Sequence, residues 1–457
     1  MKEKIKSLKS FNYRLYFSLC LLALFPALYQ TIKTSIISST NLNDVFDVIG
    51  NMEWFDLINE SLIGFLIIPL YSIFNKLYKD NLEMFKKFAF KIGIITCFVY
   101  SVFSIVVLIS GEIIIRSMGV INNISLVRRY LSLETIAFML EIIILFFNVL
   151  FITIGKDKNV YIFLLFKVVI SLICDILFIP RIDYLGIAIS NIVTNVLLVI
   201  ICFTLLYFKG YIKISKFEKN DKLIYKEWLK KGFFSGFQQF VDNIIYALMI
   251  CKMVNLVSEQ GNYWLANNFI WGYFLLPILS LSEVVRSDCK EGYSKLNKFN
   301  YYFLITIIFI LWLITIPLWK PFFKYIEKIE NYERIFEITI KLIPFYICFA
   351  VSQVIDNIFN GLGKTSLNFI NSLFVNFVYY GIFFILYLNN VIVFSMDVII
   401  LMFGFGMVFH MIISIILEHI FFKKQNIILP NDKLEVISDW WNNFILHNKK
   451  KCGRIFL

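Results

Sequence analysis

Long apolar runs alternate with short polar ones along the whole chain. An α-helix rises ~1.5 Å per residue, so about twenty apolar residues cross a bilayer. Runs of that kind recur near 13–38, 52–77, 88–114, 131–154, 159–180, 184–207, 231–256, 264–287, 299–319, 336–361, 367–388 and 396–422. The pattern predicts twelve transmembrane helices. The longest basic hydrophilic link, "KGYIKISKFEKNDKLIYKEWLKK" at 209–231, leaves six on each side.

The two halves match under a shift of 208 residues. "KDNLEMFKKF" at 79 meets "SDCKEGYSKL" at 287, "EIIIRSMG" at 112 meets "KPFFKYIE" at 320, and "NVLFITIGK" at 148 meets "DNIFNGLGK" at 356. One gapless offset serves all three pairs, which points to an internal repeat. Six spans per half give both halves the same topology, so their axis runs along the membrane normal. The predicted fold is an all-α polytopic membrane protein of two six-helix lobes related by a pseudo-two-fold axis. The N-lobe takes 1–208, a cytoplasmic linker 209–230, the C-lobe 231–425 and a cytoplasmic tail 426–457.

Composition agrees, with 59% hydrophobic residues and 50 Phe in 457, far more apolar surface than a soluble chain hides. The net charge of +12 is topological. With a cytoplasmic N-terminus the inside segments hold 32 of the Lys and Arg and the outside loops 9. The positive-inside rule then places both termini in the cytoplasm of a cell-membrane protein and argues against nucleic acid as a partner. The first apolar stretch is too long for a signal peptide and lacks a small-residue cleavage site. Eight scattered Cys without a CxxC, and three His late in the chain, support neither a disulfide framework nor a zinc site.

The candidate chemistry is the set of polar residues inside the spans. "GFFSGFQQFVDNIIYALMIC" at 232–251 carries a single charge, Asp242. A carboxylate at a helix centre costs about 2.5–3.5 kcal/mol on insertion scales, so it faces a cavity or a partner. Gln239, Asp242, Asn243 and Tyr246 share one helical face at i, i+3, i+4, i+7. That stripe reads as cavity lining, the alternative being a cluster that only ties helices together. Asp356, in "SQVIDNIFNGLGK" of the tenth span, is a second acid. Two acids on facing helices can hold a cation or exchange protons, with Na+ a candidate ligand at Asp242. The N-terminal half offers Lys33, Glu60, Glu134, Glu141, Lys167 and Asp175. Lys33 reads as a counter-ion or an attractor of anions, Lys167 as a residue snorkelling to the surface, and Glu60 and Glu134 as interfacial. Tyr246, Trp264 and Trp271 are candidates for cation–π contact with a substrate or for plain packing. "NGLGKTS" is not a phosphate-binding loop, because Ile358 stands where the pattern needs Gly. No cofactor is expected beyond Na+ or H+ as coupling ion. In the tail, Leu434, Ile437, Trp441, Phe444 and Ile445 share a face before a Lys run, predicting an interfacial amphipathic helix.

The stretch "VVISLICDILFIPRIDYLGIAISNIVTNVLLVI" at 168–200 resembles the fifth and sixth helices of multidrug and toxic compound extrusion (MATE) transporters. "YKDNLEMFKKFAF" is similar to that family's loop after the second helix, without its glycines, and "FNVLFITIGK" to the end of its fourth helix. Pro26 falls at its kink-forming first-helix proline. The resemblance spans 13–422 and implies a monomeric two-lobed antiporter that exports bulky, often cationic organic compounds on a Na+ or H+ gradient. It implies a coupling role for Asp242, with Asp356 close to a second acidic position. It also implies that Asp175 and Asn148 match N-lobe residues of the family. The family's first-helix Asp falls on Asn41, with Lys33 an unexpected neighbour, so the C-lobe is the expected seat of coupling. Cavity-facing candidates are then Gln239, Asn243, Tyr246, Asn148, Asn41, Lys33 and Glu141. The rival reading is a flippase for lipid-linked saccharides, which requires Lys33 and Lys167 to point inward. No nucleophile, metal or cofactor constellation suggests an enzyme.

Overall fold

The structure, a computed structural model, describes residues 8, 11–40, 45–216, 222–290 and 298–424. Asn41 and the whole predicted tail helix lie outside the described residues. The first lobe holds Tyr13–Ser38, a second helix in three pieces (Val45–Gly50, Glu53–Leu66 and Ile68–Asp80), Leu82–Ser117, Ile124–Thr153, Asp157–Ile182 and Leu185–Phe208. The second lobe opens with Lys222–Tyr246, which runs on through Ala247–Cys251 into Lys252–Leu256. Then come Gln260–Phe269 continuing to Leu275–Lys290, Lys298–Pro321, Tyr332–Gly361, Thr365–Leu373 continuing to Gly381–Leu388, and Met396–Lys424. We call these the first to twelfth helices.

Eleven of the twelve are long and apolar enough to cross a membrane by length and composition. The seventh is the exception. It carries Lys222, Lys226, Glu227, Lys230 and Lys231 at one end and the polar Gln238–Asn243 stretch in the middle. It also starts at Lys222, earlier than the predicted 231. The reason is visible in Trp228, which is buried and donates its indole N–H to the Leu66 carbonyl at 3.0 Å. Part of the expected linker is thus an amphipathic extension of the helix.

The 208-residue repeat is geometric as well as textual. Moved forward by that offset, Ile124–Thr153 coincides with Tyr332–Gly361 at both ends, and Asp157 lands on Thr365, where the eleventh helix starts. The turns between those helices are the same turn. Gly155 and Gly363 have φ of 70° and 69°, left-handed values that favour glycine, and Lys156 and Lys364 each donate their backbone N–H back to Phe151 and Phe359 at 2.8 Å.

Each lobe lends its first helix to the other. Phe11 and Tyr16, at the start of the first helix, belong to the apolar core of the second lobe, whereas Trp228 belongs to that of the first. On this near side the second and seventh helices meet so closely that a Cβ on Gly232 would stand 2.3 Å from the Phe65 carbonyl oxygen. On the opposite, far side the lobes are tied by polar bonds. Gly261 N–H donates to Asp47 Oδ1 at 3.1 Å, Asn255 Nδ2 to the Met118 carbonyl at 3.0 Å, and Lys328 Nζ to Ser39 Oγ at 3.4 Å. Both sides of the interface are therefore packed, but by different means.

The lobes differ in regularity. Among the described residues all four π-helical turns lie in the second lobe: Ala247–Cys251, Ile270–Phe274, Phe322–Ile326 and Phe374–Tyr380. Such turns rotate a helix face locally and gather at functional sites.

Candidate functional site

The C-lobe encloses a polar cavity of about 260 Å³ lined by Gln238, Asp242, Gln353, Asp356, Asn357, Asn360, Asn368, Ser372, Val375 and His410. Four helices supply its chemistry. Asp242 comes from the seventh, Asp356 from the tenth, Ser372 from the eleventh, and His410 with Ser414 from the twelfth. Asp242 Oδ1 accepts from Ser372 Oγ and, at 2.6 Å, from Asn376 Nδ2. The π-helical turn at Phe374–Tyr380 carries Asn376, and with Ser372 one turn earlier it aims two donors at one oxygen. No described residue hydrogen-bonds to Oδ2 of Asp242. Asp356 is held on both oxygens, by His410 Nε2 at 2.9 Å and Ser414 Oγ at 3.0 Å. Asp242, Asp356 and His410 lie within electrostatic range of one another. Two acids on different helices thus line one cavity, with a histidine bonded to Asp356.

His410 is the residue that the sequence reading passed over. Its signal was available: His410 and Ser414 stand at i, i+4 on an otherwise apolar span. The repeat marks the site as specific to this lobe. Counted back by 208, Asp242, Asp356, Ser372, Asn376 and His410 fall on Thr34, Asn148, Leu164, Val168 and Cys202.

The predicted stripe on the seventh helix is split rather than shared. Asp242 and Gln238 face the C-lobe cavity. Asn243 turns to the second helix, donating to the Leu57 carbonyl at 2.8 Å and to Glu60 at 3.3 Å. Gln239 Oε1 is also on that side, beside Gly64, and Tyr246 shares a hydrogen bond with Tyr263 at 2.8 Å. A helix between two lobes presents each a different side, and successive residues lie about 100° apart. Asn243, Gln239 and Tyr246 thus tie elements together and do not line the Asp242 cavity.

A second cavity, about 150 Å³, lies toward the far side and is lined by residues including Gln30, Lys33, Asp56, Tyr130, Glu134, Asn191 and Trp264. Glu134 is buried and accepts from Asn191 Nδ2 at 2.9 Å. The interfacial reading of Glu134 is therefore corrected, because its helix turns the carboxylate inward. Glu60 is corrected too, standing mid-helix against Asn243. Glu53, Asp56 and Glu60 form one acidic face of the second helix at i, i+3, i+7, and Asp56 lies within electrostatic range of Glu53, Glu60 and Glu134. Glu53 and Asp56 escaped notice in the sequence because they sit near the start of the predicted span, where an acid reads as interfacial.

The other candidates are distributed as follows. Asp175 is fully buried and accepts from Tyr29 OH at 2.8 Å, tying the fifth helix to the first. Lys167 does not snorkel, since it pairs with Glu141 at 2.6 Å across the fourth and fifth helices. Glu141 is thereby engaged and lines neither cavity. Asn148 also lines neither, and its buried Oδ1 has no hydrogen-bond partner among the described residues. Pro26 stands inside a first helix that continues across it. Of the three aromatic candidates, Trp264 lines a cavity, while Trp271 packs edge-on against Phe349 at 5.7 Å. Among the described residues no cluster of three His, Cys, Asp or Glu has metal-binding geometry.

No family model and no curated protein sequence matches the chain. Solved structures do match. An inward-facing multidrug resistance MATE family transporter of the MOP superfamily superposes with TM-score 0.71 at 16% identity, over 88% of this chain and 95% of its own. An outward-facing structure with the same description reaches 0.64 at 15% identity, over 92% and 96%. A mutant of the Vibrio cholerae MATE transporter VcmN gives 0.66 at 12% identity, over 93% and 99%. Twelve helices in two repeated lobes, a polar cavity within the second lobe and these superpositions lead to one conclusion: the chain has the fold of the MATE transporters of the MOP superfamily.

Proposed function

We propose that the protein is a secondary active exporter of organic, often cationic compounds, working by alternating access and coupled to a Na+ or H+ gradient through the C-lobe cavity. The observation that carries this reading is the cavity itself. It joins two intramembrane carboxylates, one of which, Asp242, keeps an oxygen that no described residue engages. Intramembrane acids are costly to bury, and those that face a cavity mark ion or substrate paths.

Coupling follows from differential binding. An ion on Asp242 drives a change of access only if the two access states hold it with different affinity. The seventh helix meets that need, because Asp242 is bonded to the C-lobe while its neighbour Asn243 is bonded to the N-lobe. A rocking motion of one lobe on the other must disturb one set or the other. For a proton, the Asp356–His410 pair supplies an exchange partner beside Asp242. For Na+, the cavity supplies amide and hydroxyl oxygens from Gln238, Asn360 and Ser372. With the near side cytoplasmic, as the charge distribution argues, the polar seam on the far side corresponds to an outward gate that is shut.

The flippase reading is the weaker one. It needs a basic interior, and one of its two lysines, Lys167, is neutralised by Glu141. The test is export of a fluorescent organic cation from proteoliposomes under an imposed Na+ or H+ gradient. Transport driven by one gradient identifies the ion. No transport under either gradient, with lipid-linked sugar moved instead, favours the flippase.

A further inference from the structure

The N-lobe cavity contains an intramembrane cation as well as acids. Lys33, on the first helix, shares it with Asp56 and Glu134. Lys167, on the fifth helix of the same lobe, has a carboxylate at 2.6 Å. Lys33 has none within 4.0 Å among the described residues, and its ammonium lies 5.8 Å from the centre of the Tyr29 ring. Glu134 feels its charge at longer range while bonding to Asn191. A lysine held inside a membrane protein without an ion pair is costly, and here it lines the cavity with an aromatic ring, Tyr29, as its neighbour and no carboxylate at bonding distance among the described residues. The repeat gives it no structural twin, since Lys33 counts forward to Val241.

We propose that Lys33 is a specificity-determining residue, which makes the N-lobe cavity select zwitterionic organic compounds over purely cationic ones. The anionic group of the ligand meets Lys33, its cationic group meets Asp56 and Glu134, and its flat apolar part lies against Trp264. Separated charges of both signs match this lining, whereas a lone cation leaves Lys33 opposed to it across a low-dielectric space. The volume fixes the scale. About 150 Å³ is below the roughly 300–1,000 Å³ of a drug-sized pocket, so the cavity takes a charged headgroup while the rest of the molecule lies between the lobes. The inference rests on the transport reading for its purpose, but binding alone tests it.

The probe is a matched pair of dyes, rhodamine 110 with a free carboxylate and rhodamine 123, its methyl ester. Dissociation constants are measured by fluorescence polarisation with the purified full chain, its Lys33→Met variant and its Lys33→Arg variant. The parent is expected to bind the carboxylate dye more tightly than the ester. Lys33→Met should lose about tenfold for the carboxylate dye, the size of one charge-assisted contact, with little change for the ester. Lys33→Arg should keep the preference, which separates loss of charge from loss of fold. Equal affinity of the parent for both dyes, binding of neither, or an equal loss for both in Lys33→Met would overturn the assignment. Because no gradient is applied, failure of coupled transport leaves this result readable on its own.

Discussion

His410 Nε2 lies 2.9 Å from Asp356 Oδ2 across the tenth and twelfth helices, in the cavity that Asp242 faces from the seventh. The contact ties an acid to the one titratable base in the cavity and leaves Asp242 as the acid without a basic partner at bonding distance. If the pair serves proton exchange, His410→Gln preserves a hydrogen bond to Asp356 and removes the titration. Transport by the variant should fall at least tenfold under a pH gradient and lose its pH dependence, with protein levels unchanged. A Na+-driven rate that survives the change would assign the pair to holding the helices.

The ion pair between Lys167 and Glu141 makes a prediction about stability. Their side chains are about one-third exposed, so the pair is worth less than a fully buried one and more than a surface one. Lys167→Met or Glu141→Gln alone should cost on the order of 1–2 kcal/mol, by strandening one charge in the bilayer interior. The double variant should recover most of that loss. Thermal unfolding of the four proteins in detergent measures the coupling.

Glu327, just past the end of the ninth helix, is buried, and its Oε2 has no hydrogen-bond partner among the described residues. Burial pushes its carboxyl up to about 8, with the nearby Thr31 hydroxyl acting weakly the other way. A carboxyl raised by folding contributes stability that is full below its unfolded value near 4.5 and is lost as pH rises through about 8. The parent should therefore melt progressively lower from pH 5 to pH 9, and Glu327→Gln should flatten that slope. An unchanged slope in the variant would place the sensitivity elsewhere.

The far-side seam can be locked. Lys328 Nζ donates to Ser39 Oγ between the ninth and first helices. Joining a Ser39→Cys, Lys328→Cys pair with a short thiol cross-linker should hold the far side shut and stop transport, and a reducible linker should restore it. Undiminished transport by the cross-linked protein would show that this seam does not open.

Much of the fold was legible because its signals are periodic. Twelve apolar runs and one gapless offset sufficed to predict the helices and their repeat, though not their ends: the fourth and tenth spans were expected at 131–154 and 336–361, and the helices run Ile124–Thr153 and Tyr332–Gly361. The site was legible only in part. Asp242 and Asp356 stand out as charges on apolar spans, but the split of the polar stripe did not. Whether Asn243 faces the same cavity as Asp242 depends on the lobes on either side of the helix, which a single-helix projection cannot contain. Glu53 and Asp56 were hidden by their nearness to a span end. Lys167 looked like a snorkelling residue because its partner, Glu141, is 26 positions away.

The measurement that tests the central claim most directly is gradient-driven export by Asp242→Asn beside the parent in matched proteoliposomes. Asparagine keeps the shape and can still accept from Asn376 and Ser372, so loss of fold is a poor explanation for any defect. The account predicts that the parent exports a fluorescent cation under a Na+ or H+ gradient and that the variant loses at least tenfold of the driven rate. Full gradient-driven export by the variant would contradict it and leave Asp242 as a tie between the seventh and eleventh helices.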